Sequence, residues 1–292
     1  MGENREVVLR VENLKKCYGN VRAVDGVSFV VKRGQLVSIL GPNGAGKTTT
    51  IEIIEGLRIP DHGTVEYFGT SNTITNEVKE RLGVCFQENF FFEDLTVLET
   101  LKLYASLYRR SLPLEDIIEM FDLEGSLKKR VRHLSGGQKQ RLAVALAFVN
   151  DPELVFLDEP TVGLDPHARH HLWDVIKYFK SQGKSIILTT HYMEEAHQLS
   201  DMVYIMDHGK IIAQGSPQEL INSSGLNAVI EFPATHAYLF EETVTTGDVA
   251  IVSTPDVPGA IKRLLDAGVE NFIVRHPTLE DVFLKLTGRR ID

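Results

Sequence analysis

Cysteine is almost missing from this chain: Cys17 and Cys85 are the two in 292 residues. A pair so far apart supplies neither a zinc-binding spacing nor a disulfide framework, and it suits a reducing compartment. Both read as small buried packing residues. A basic surplus is missing too. With 31 lysines and arginines against 40 aspartates and glutamates the formal charge is −9, which argues against nucleic acid as a partner, because such domains normally carry a basic footprint. Long apolar runs are also absent. The longest, LAVALAFV at 142–149, falls far short of the ~18 residues that cross a bilayer. The opening MGENREVVLR has no apolar stretch of the signal-peptide kind. A membrane role is therefore expected through a partner. Nothing repeats at solenoid spacing. What is present, 43% hydrophobic and 24% charged residues, is a globular composition at a length that allows one large domain or two.

Three β-rich runs open the chain: VVLRVENL, VSFVVKRG with a turn at Arg33-Gly34, and QLVSIL. TTTIEIIEG then reads as a helix stopped at Gly56. From about residue 88 to 150 the pattern is helical, with LTVLETLKLYASLYRR and DIIEMF carrying apolar residues at helical spacing, and this stretch reads as an insert. The continuous apolar strands LVFLD and SIILTT are of the kind found in a parallel sheet buried on both faces. Between them, PHARHHLWDVIKYF sets Leu172, Val175, Ile176 and Phe179 on one helix face. VYIMDHGKIIAQG reads as a hairpin around Asp207 to Lys210, and SPQEL as a helix start with Ser216 as N-cap and Pro217 first in the helix. The polar joint SSGL, Ser223 to Leu226, divides the expected domains, 1–222 and 226–292. Beyond it short strands (NAVIEF, VAIVST, NFIVRH) alternate with helices (VPGAIKRLLDAG, TLEDVFLKLTG). The expected fold class is α/β: a mixed, largely parallel core sheet, an N-terminal antiparallel β subdomain, a helical insert and a small C-terminal α/β domain.

GPNGAGKTT comprises Gly41, Pro42, Asn43, Gly44, Ala45, Gly46, Lys47, Thr48 and Thr49, and it follows a strand and opens a helix. That context turns the pattern G-x4-G-K-[ST] into a phosphate cradle: backbone N–H groups curl round the phosphates, Lys47 faces the β and γ groups, and Thr48 offers its hydroxyl to Mg²⁺. LVFLDEP ends a strand in Asp158, placed to hold Mg²⁺, and Glu159, placed to orient or deprotonate an attacking water. His191 follows SIILTT at another strand end, where open parallel sheets bind ligands, and reads as a γ-phosphate contact.

These residues alone permit a GTPase or a small-molecule kinase. LSGGQ, Leu134 to Gln138, decides between them, since five specified residues arise by chance on the order of 10⁻⁶ times per start at average composition. With it the chain resembles an ATP-binding-cassette transporter ATPase, in the branch that serves drug, antibiotic, sodium or polysaccharide exporters. The motifs cover residues 1 to about 220. The resemblance implies a P-loop in GPNGAGKT, a signature in LSGGQ, a catalytic glutamate in Glu159, a D-loop in Gly163 to Asp165 and a switch histidine in His191. It further implies that Gln87 senses Mg²⁺ and the attacking water, and that Tyr18 stacks on adenine. It implies two chains meeting head to tail, so that Ser135, Gly136, Gly137, Gln138 and Asp165 of one complete the nucleotide held by the other. The partner is a second copy or a paralogous ATPase. Both would dock on an integral-membrane permease from the cytoplasmic side, and no nucleic acid would take part. ATP and Mg²⁺ are the expected cofactors.

Phe90 to Phe92 cannot all face one way on regular structure, and by the resemblance they form a partly exposed docking patch. KKRVRH, Lys128 to His133, reads as a solvated helix end. His167, His170 and His171 at i, i+3 and i+4 could hold a metal but read as a surface helix face. HPTLEDVFLKLTGR is similar to the tail of the exporter branch. A soluble ATP-driven clamp of the same fold, acting on ribosomes or DNA, is the runner-up, though it commonly has two cassettes per chain or a long coiled-coil insert. A metabolic kinase would leave LSGGQ unexplained.

Overall fold

The computed structural model describes residues 6–70, 72–87 and 89–288. Residues 1–5, Glu88 at the start of the expected insert and the last four residues lie outside them. The described residues fall into two compact units, one running to Pro217 and the other beginning at Gln218.

The first unit runs β1 (Val7–Tyr18), β2 (Val21–Lys32), β3 (Leu36–Leu40), α1 (Lys47–Ile54), β4 (His62–Tyr67), α2 (Asn76–Glu80), β5 (Leu82–Cys85), α3 (Val97–Ser106), α4 (Leu114–Met120) and α5 (Gly136–Phe148). It continues through β6 (Leu154–Asp158), α6 (Pro166–Ser181), β7 (Ser185–Thr189), α7 (Met193–Leu199), β8 (Met202–Asp207) and β9 (Lys210–Gly215). Its central sheet has the order β5-β6-β7-β3-β8-β9, with only β9 antiparallel to its neighbour. A separate antiparallel sheet has the order β2-β1-β4.

The unbroken apolar strands have a direct cause. Along β6, Val155 and Leu157 enter one core while Leu154 and Phe156 enter the other. Along β7, Ile186 and Leu188 split from Ile187 in the same way. The first core joins the sheet to α3–α6 through Leu101, Ile117, Phe148, Trp173 and Phe179. The second joins it to α1 and the antiparallel sheet through Ile51, Ile54, Leu9 and Val31. Water is thus excluded from both faces, and the C-terminal tips of the parallel strands β3, β5, β6, β7 and β8 open at one end.

Several elements differ from the sequence reading. Strand β1 runs on to Tyr18, because Gly19 in the left-handed region (φ 58°) turns the chain tightly into β2. Helix α3 stops at Ser106, short of Tyr108-Arg109-Arg110. Lys128 to His133 is no helix end: it holds only a 3₁₀ turn at Val131–His133, with Val131 buried. Arg130 and Arg132 there reach Asp94 at 3.6 and 2.8 Å. Cys85 is buried, but Cys17 is exposed and does no packing. It lies near the end of β1, beyond the pairing with β4, where its N–H donates to Asp61 at 2.7 Å.

The second unit holds α8 (Pro217–Ser223, whose first residue belongs to the first unit), β10 (Ala228–Pro233), β11 (Thr243–Thr246), β12 (Val249–Thr254), α9 (Val257–Asp266), β13 (Ile273–Arg275) and α10 (Leu279–Thr287). Its sheet is antiparallel, in the order β11-β12-β10-β13. Ile230, Phe232, Ala250, Val252, Ala260 and Leu264 form its own core. The polar strand β11, Thr-Val-Thr-Thr, carries no apolar alternation and escapes a sequence reading.

Candidate nucleotide site

The loop from Gly41 to Gly46 joins the tip of β3 to α1. Gly46, the N-cap of α1, has φ 98°, and a Cβ there would stand 2.0 Å from the Ala23 carbonyl oxygen. Only glycine fits so close a passage. The turn between β8 and β9 holds the loop from behind: Gly209 N–H donates to Ala45 O at 3.0 Å, and Asp25 N–H to Gly209 O at 2.8 Å. Ala45 is buried while Asn43, Gly44 and Thr48 are exposed. Lys47 Nζ donates to the carbonyls of Gly41 at 2.6 Å and Pro42 at 3.1 Å. Burial lowers the Lys47 pKa, against the opposing pull of the Glu159 and Asp158 charges.

Asp158 ends β6, opposite Thr189 on β7, and the Thr189 hydroxyl donates to its Oδ1. Burial raises its carboxyl, and the Glu159 charge adds to the rise, while the Thr189 bond and Lys47 oppose it. Glu159 takes a left-handed backbone, φ 51°, a strained state that persists where surrounding structure imposes it. Its N–H donates to Thr189 O at 3.0 Å, and Gln140 Nε2 reaches its carbonyl at 3.3 Å and that of Pro160 at 3.0 Å. The carboxylate stands 3.4 Å from His191 Nδ1. Lys47, Asp158, Glu159 and His191 thus gather at the tips of β3, β6 and β7. Exposed Gln87 lies two residues beyond the tip of β5, the neighbour of β6.

LSGGQ and the loop before α6 form a second group. Ser135 caps α5: its Oγ accepts from Gln138 N–H at 3.2 Å, and Gln138 Oε1 accepts from Ser135 N–H at 3.1 Å. Gln138 Nε2 also reaches Ser126 Oγ at 3.0 Å. The first-turn amides of Gly136 and Gly137 meet no i−4 acceptor within the helix, so the helix presents an N-terminal anion seat. Gly137 lies against Leu164 and the Gly163 carbonyl. Asp165 caps α6 by accepting from Ala168 N–H at 2.9 Å, a bond that holds its carboxyl below the usual range. Tyr18 is 41% exposed, which makes it no core aromatic. The Arg58 guanidinium lies 5.6 Å from its ring centroid. Phe90 and Phe92 are exposed, and Phe91 packs on the first core. His170 stands edge-on to Trp173, and His171 Nε2 contacts the Met120 carbonyl at 3.0 Å.

Sequence reasoning missed Gln140, whose side chain reaches the Glu159 and Pro160 carbonyls. The contact joins elements far apart in the chain, and no local motif signals it.

Residues 24–162 match the family described as ABC transporter. The Nod factor export ATP-binding protein I of Ralstonia nicotianae is 39% identical over 307 aligned residues, covering 97% of this chain and 95% of the relative. The chain belongs to the ABC transporter family. A second relative of this ABC subunit is the daunorubicin resistance ATP-binding protein DrrA3 of Streptomyces coeruleorubidus, 35% identical, with 97% and 96% covered. Among solved structures, an ATP-binding subunit of an ABC transporter is 32% identical with a TM-score of 0.69, covering 75% of this chain and 93% of that one. A dimeric cassette in a post-hydrolysis state with ADP and phosphate is 28% identical, TM-score 0.65, with 71% and 98% covered. The ABC subunit is thus an exporter-type ATPase that binds and hydrolyses ATP, and ATPases of this family act as dimers with membrane components. Among the described residues no helix is long and apolar enough to cross a membrane.

Proposed function

We propose that this chain drives export through a separate permease by closing and reopening a head-to-tail pair, docked on the permease at the inner face of the cell membrane. The observation that carries the reading is the contact of Glu159 with His191 at 3.4 Å, beside Lys47. It supports a general base for water and a γ-phosphate contact at one cluster of strand tips. Lys47, already in a ring of carbonyls, turns to the β and γ phosphates, and Asn43 and the loop amides of Gly41 to Thr49 line the cradle. Tyr18 stacks on adenine. Gln87 links the site to the permease, and exposed Phe90 and Phe92 give the permease an apolar seat.

The residues fit Mg²⁺. Asp158 is a half-buried carboxylate whose ionised form a hard cation favours, and Thr48 adds an exposed hydroxyl. This oxygen set, with phosphate, is what the ion takes. Bound there, with Gln87 completing the set, it would neutralise phosphate charge.

Ser135, Gly136, Gly137, Gln138 and Asp165 complete a nucleotide held by the opposite chain. The exposed Ser135 and the open space around Gly136 support this arrangement, since they leave the start of α5 accessible to an anionic group of the opposite chain's nucleotide. Hydrolysis removes the bridging charge and frees the pair. The names of the relatives support export as the direction. In size exclusion with Mg-ATP, Glu159→Gln is expected to bind nucleotide, scarcely hydrolyse it and accumulate as a dimer. A variant that stays monomeric at saturation refutes the reading.

A further inference from the structure

Next to His191 lies a partly buried arrangement that joins α6 to the loop of that histidine. Arg169, one turn into α6, places its guanidinium carbon 4.3 Å from the centroid of the Tyr192 ring. The Tyr192 ring in turn lies 4.3 Å from that of His191. Arg169 Nε is buried and has no hydrogen-bond partner. On α7, Glu195 is wholly buried and accepts from Trp173 Nε1 of α6 at 3.0 Å, while its Oε2 has no partner. Thr161, two residues beyond Glu159, and Thr190, just before His191, are themselves buried and act on this carboxyl. Burial raises the Glu195 carboxyl above its ordinary range, while the bonds from Thr190, Trp173 and Thr161 and the Arg169 charge oppose the rise.

Apolar residues of like volume would pack α6 against α7 at least as stably as these two half-satisfied polar groups. Polar groups retained at such expense fit a demand for fixed geometry. Arg169 holds the flat face of Tyr192 by cation–π attraction. Tyr192 braces the imidazole of His191, and Glu195 anchors the start of α7 directly behind it.

We propose that Arg169 is a positioning residue, which sets the His191 imidazole against Glu159 through Tyr192. The inference rests on the His191 role argued above. Because Asp165 caps the helix that carries Arg169, the brace also ties His191 to the loop assigned to the neighbouring chain's nucleotide.

The test uses the full chain and steady-state hydrolysis of Mg-ATP, with thermal melting of each variant. Arg169→Met and Tyr192→Leu are expected to lower kcat about tenfold while KM stays within about twofold and the melting temperature is nearly kept. Arg169→Lys, which keeps the cation, recovers part of the rate, as does Tyr192→Phe, which keeps the ring. Adding Arg169→Met to His191→Ala lowers turnover no further than His191→Ala alone. Full turnover in Arg169→Met beside an impaired His191→Ala overturns the brace alone, as does a double variant well below His191→Ala. Full turnover in His191→Ala overturns the switch role itself, and the brace with it. Should Arg169→Met not fold, Tyr192→Leu carries the same comparison.

Discussion

Gly83, in the middle of β5, predicts how far the helix behind LSGGQ can be displaced before catalysis suffers. A Cβ at this position would stand 1.8 Å from the carbonyl oxygen of Ala147 on α5 and 3.0 Å from Cγ of Pro152. Ordinary carbon–oxygen contacts begin near about 3.3 Å. Strand and helix must therefore separate by roughly 1.5 Å at that point. Both clashing partners are anchored, the oxygen in helix backbone and the carbon in a proline ring, so no rotamer change relieves the overlap. Overpacking costs about 1–3 kcal/mol in general, and Gly83→Ala is expected near the upper figure. For a unit of this size that is a fall of about 6–12 °C in melting temperature. The two cores separate the consequences. Ala147 belongs to the core of α3–α6, whereas α1 and the phosphate loop pack in the other. Calorimetry should show the lowered transition, and fluorescent-nucleotide titration should show ATP affinity kept within about threefold. Turnover should drop, because α5 carries Ser135 at its start and Gln140 against Glu159. Gly125→Ala, where no atom lies within 4 Å of the new methyl group, is the neutral control. A Gly83→Ala protein that melts within about 1 °C of wild type and turns over normally refutes the reasoning.

Lys47→Ala should lose nearly all turnover, read by phosphate release, because both its carbonyl contacts and its phosphate contact vanish. Mixing that variant with Ser135→Arg, each inactive alone, should restore about a quarter of the wild-type rate, since half of the pairs then keep one intact shared site; no recovery excludes completion across chains. Burial raises the Glu55 carboxyl to about 8 from its ordinary 4.5, aided by the charges of Asp158 and Glu52. Between those values the unfolded chain has lost a proton that the native state retains, so stability falls as pH rises through that window. Glu55→Gln should therefore stabilise by about 1–3 kcal/mol at pH 8 and hardly at all near pH 4. Urea midpoints at the two pH values check this, and a pH-independent gain contradicts it.

Much of the site was legible because its parts are local. The passage from β3 through glycine-rich loop to α1 needs residues adjacent in the chain, and LVFLD ends its strand at Asp158 for the same reason. The two-faced core was legible from unbroken apolar runs. Exposure was harder to read. Cys17 was assigned to packing because cysteine is usually buried, yet the strand that carries it extends past the core to Gly19. Lys128 to His133 resembled a helix end in composition, while Val131 is drawn inward and Asp94, more than thirty residues earlier, pairs with the arginines. Arg169 and Glu195 look like ordinary surface charges on amphipathic helices. Only packing α6 against α7 buries Glu195 and the Nε of Arg169.

The outward-facing Cys17 has a practical consequence. The chain's other sulfhydryl, at Cys85, is fully enclosed and its ionisation is pushed up to about 12, so near neutral pH maleimide chemistry selects a single position. That position adjoins Tyr18. A dye attached there places a reporter beside the expected adenine platform in the wild-type sequence, with no engineered handle, so that nucleotide arrival and departure can be followed in real time.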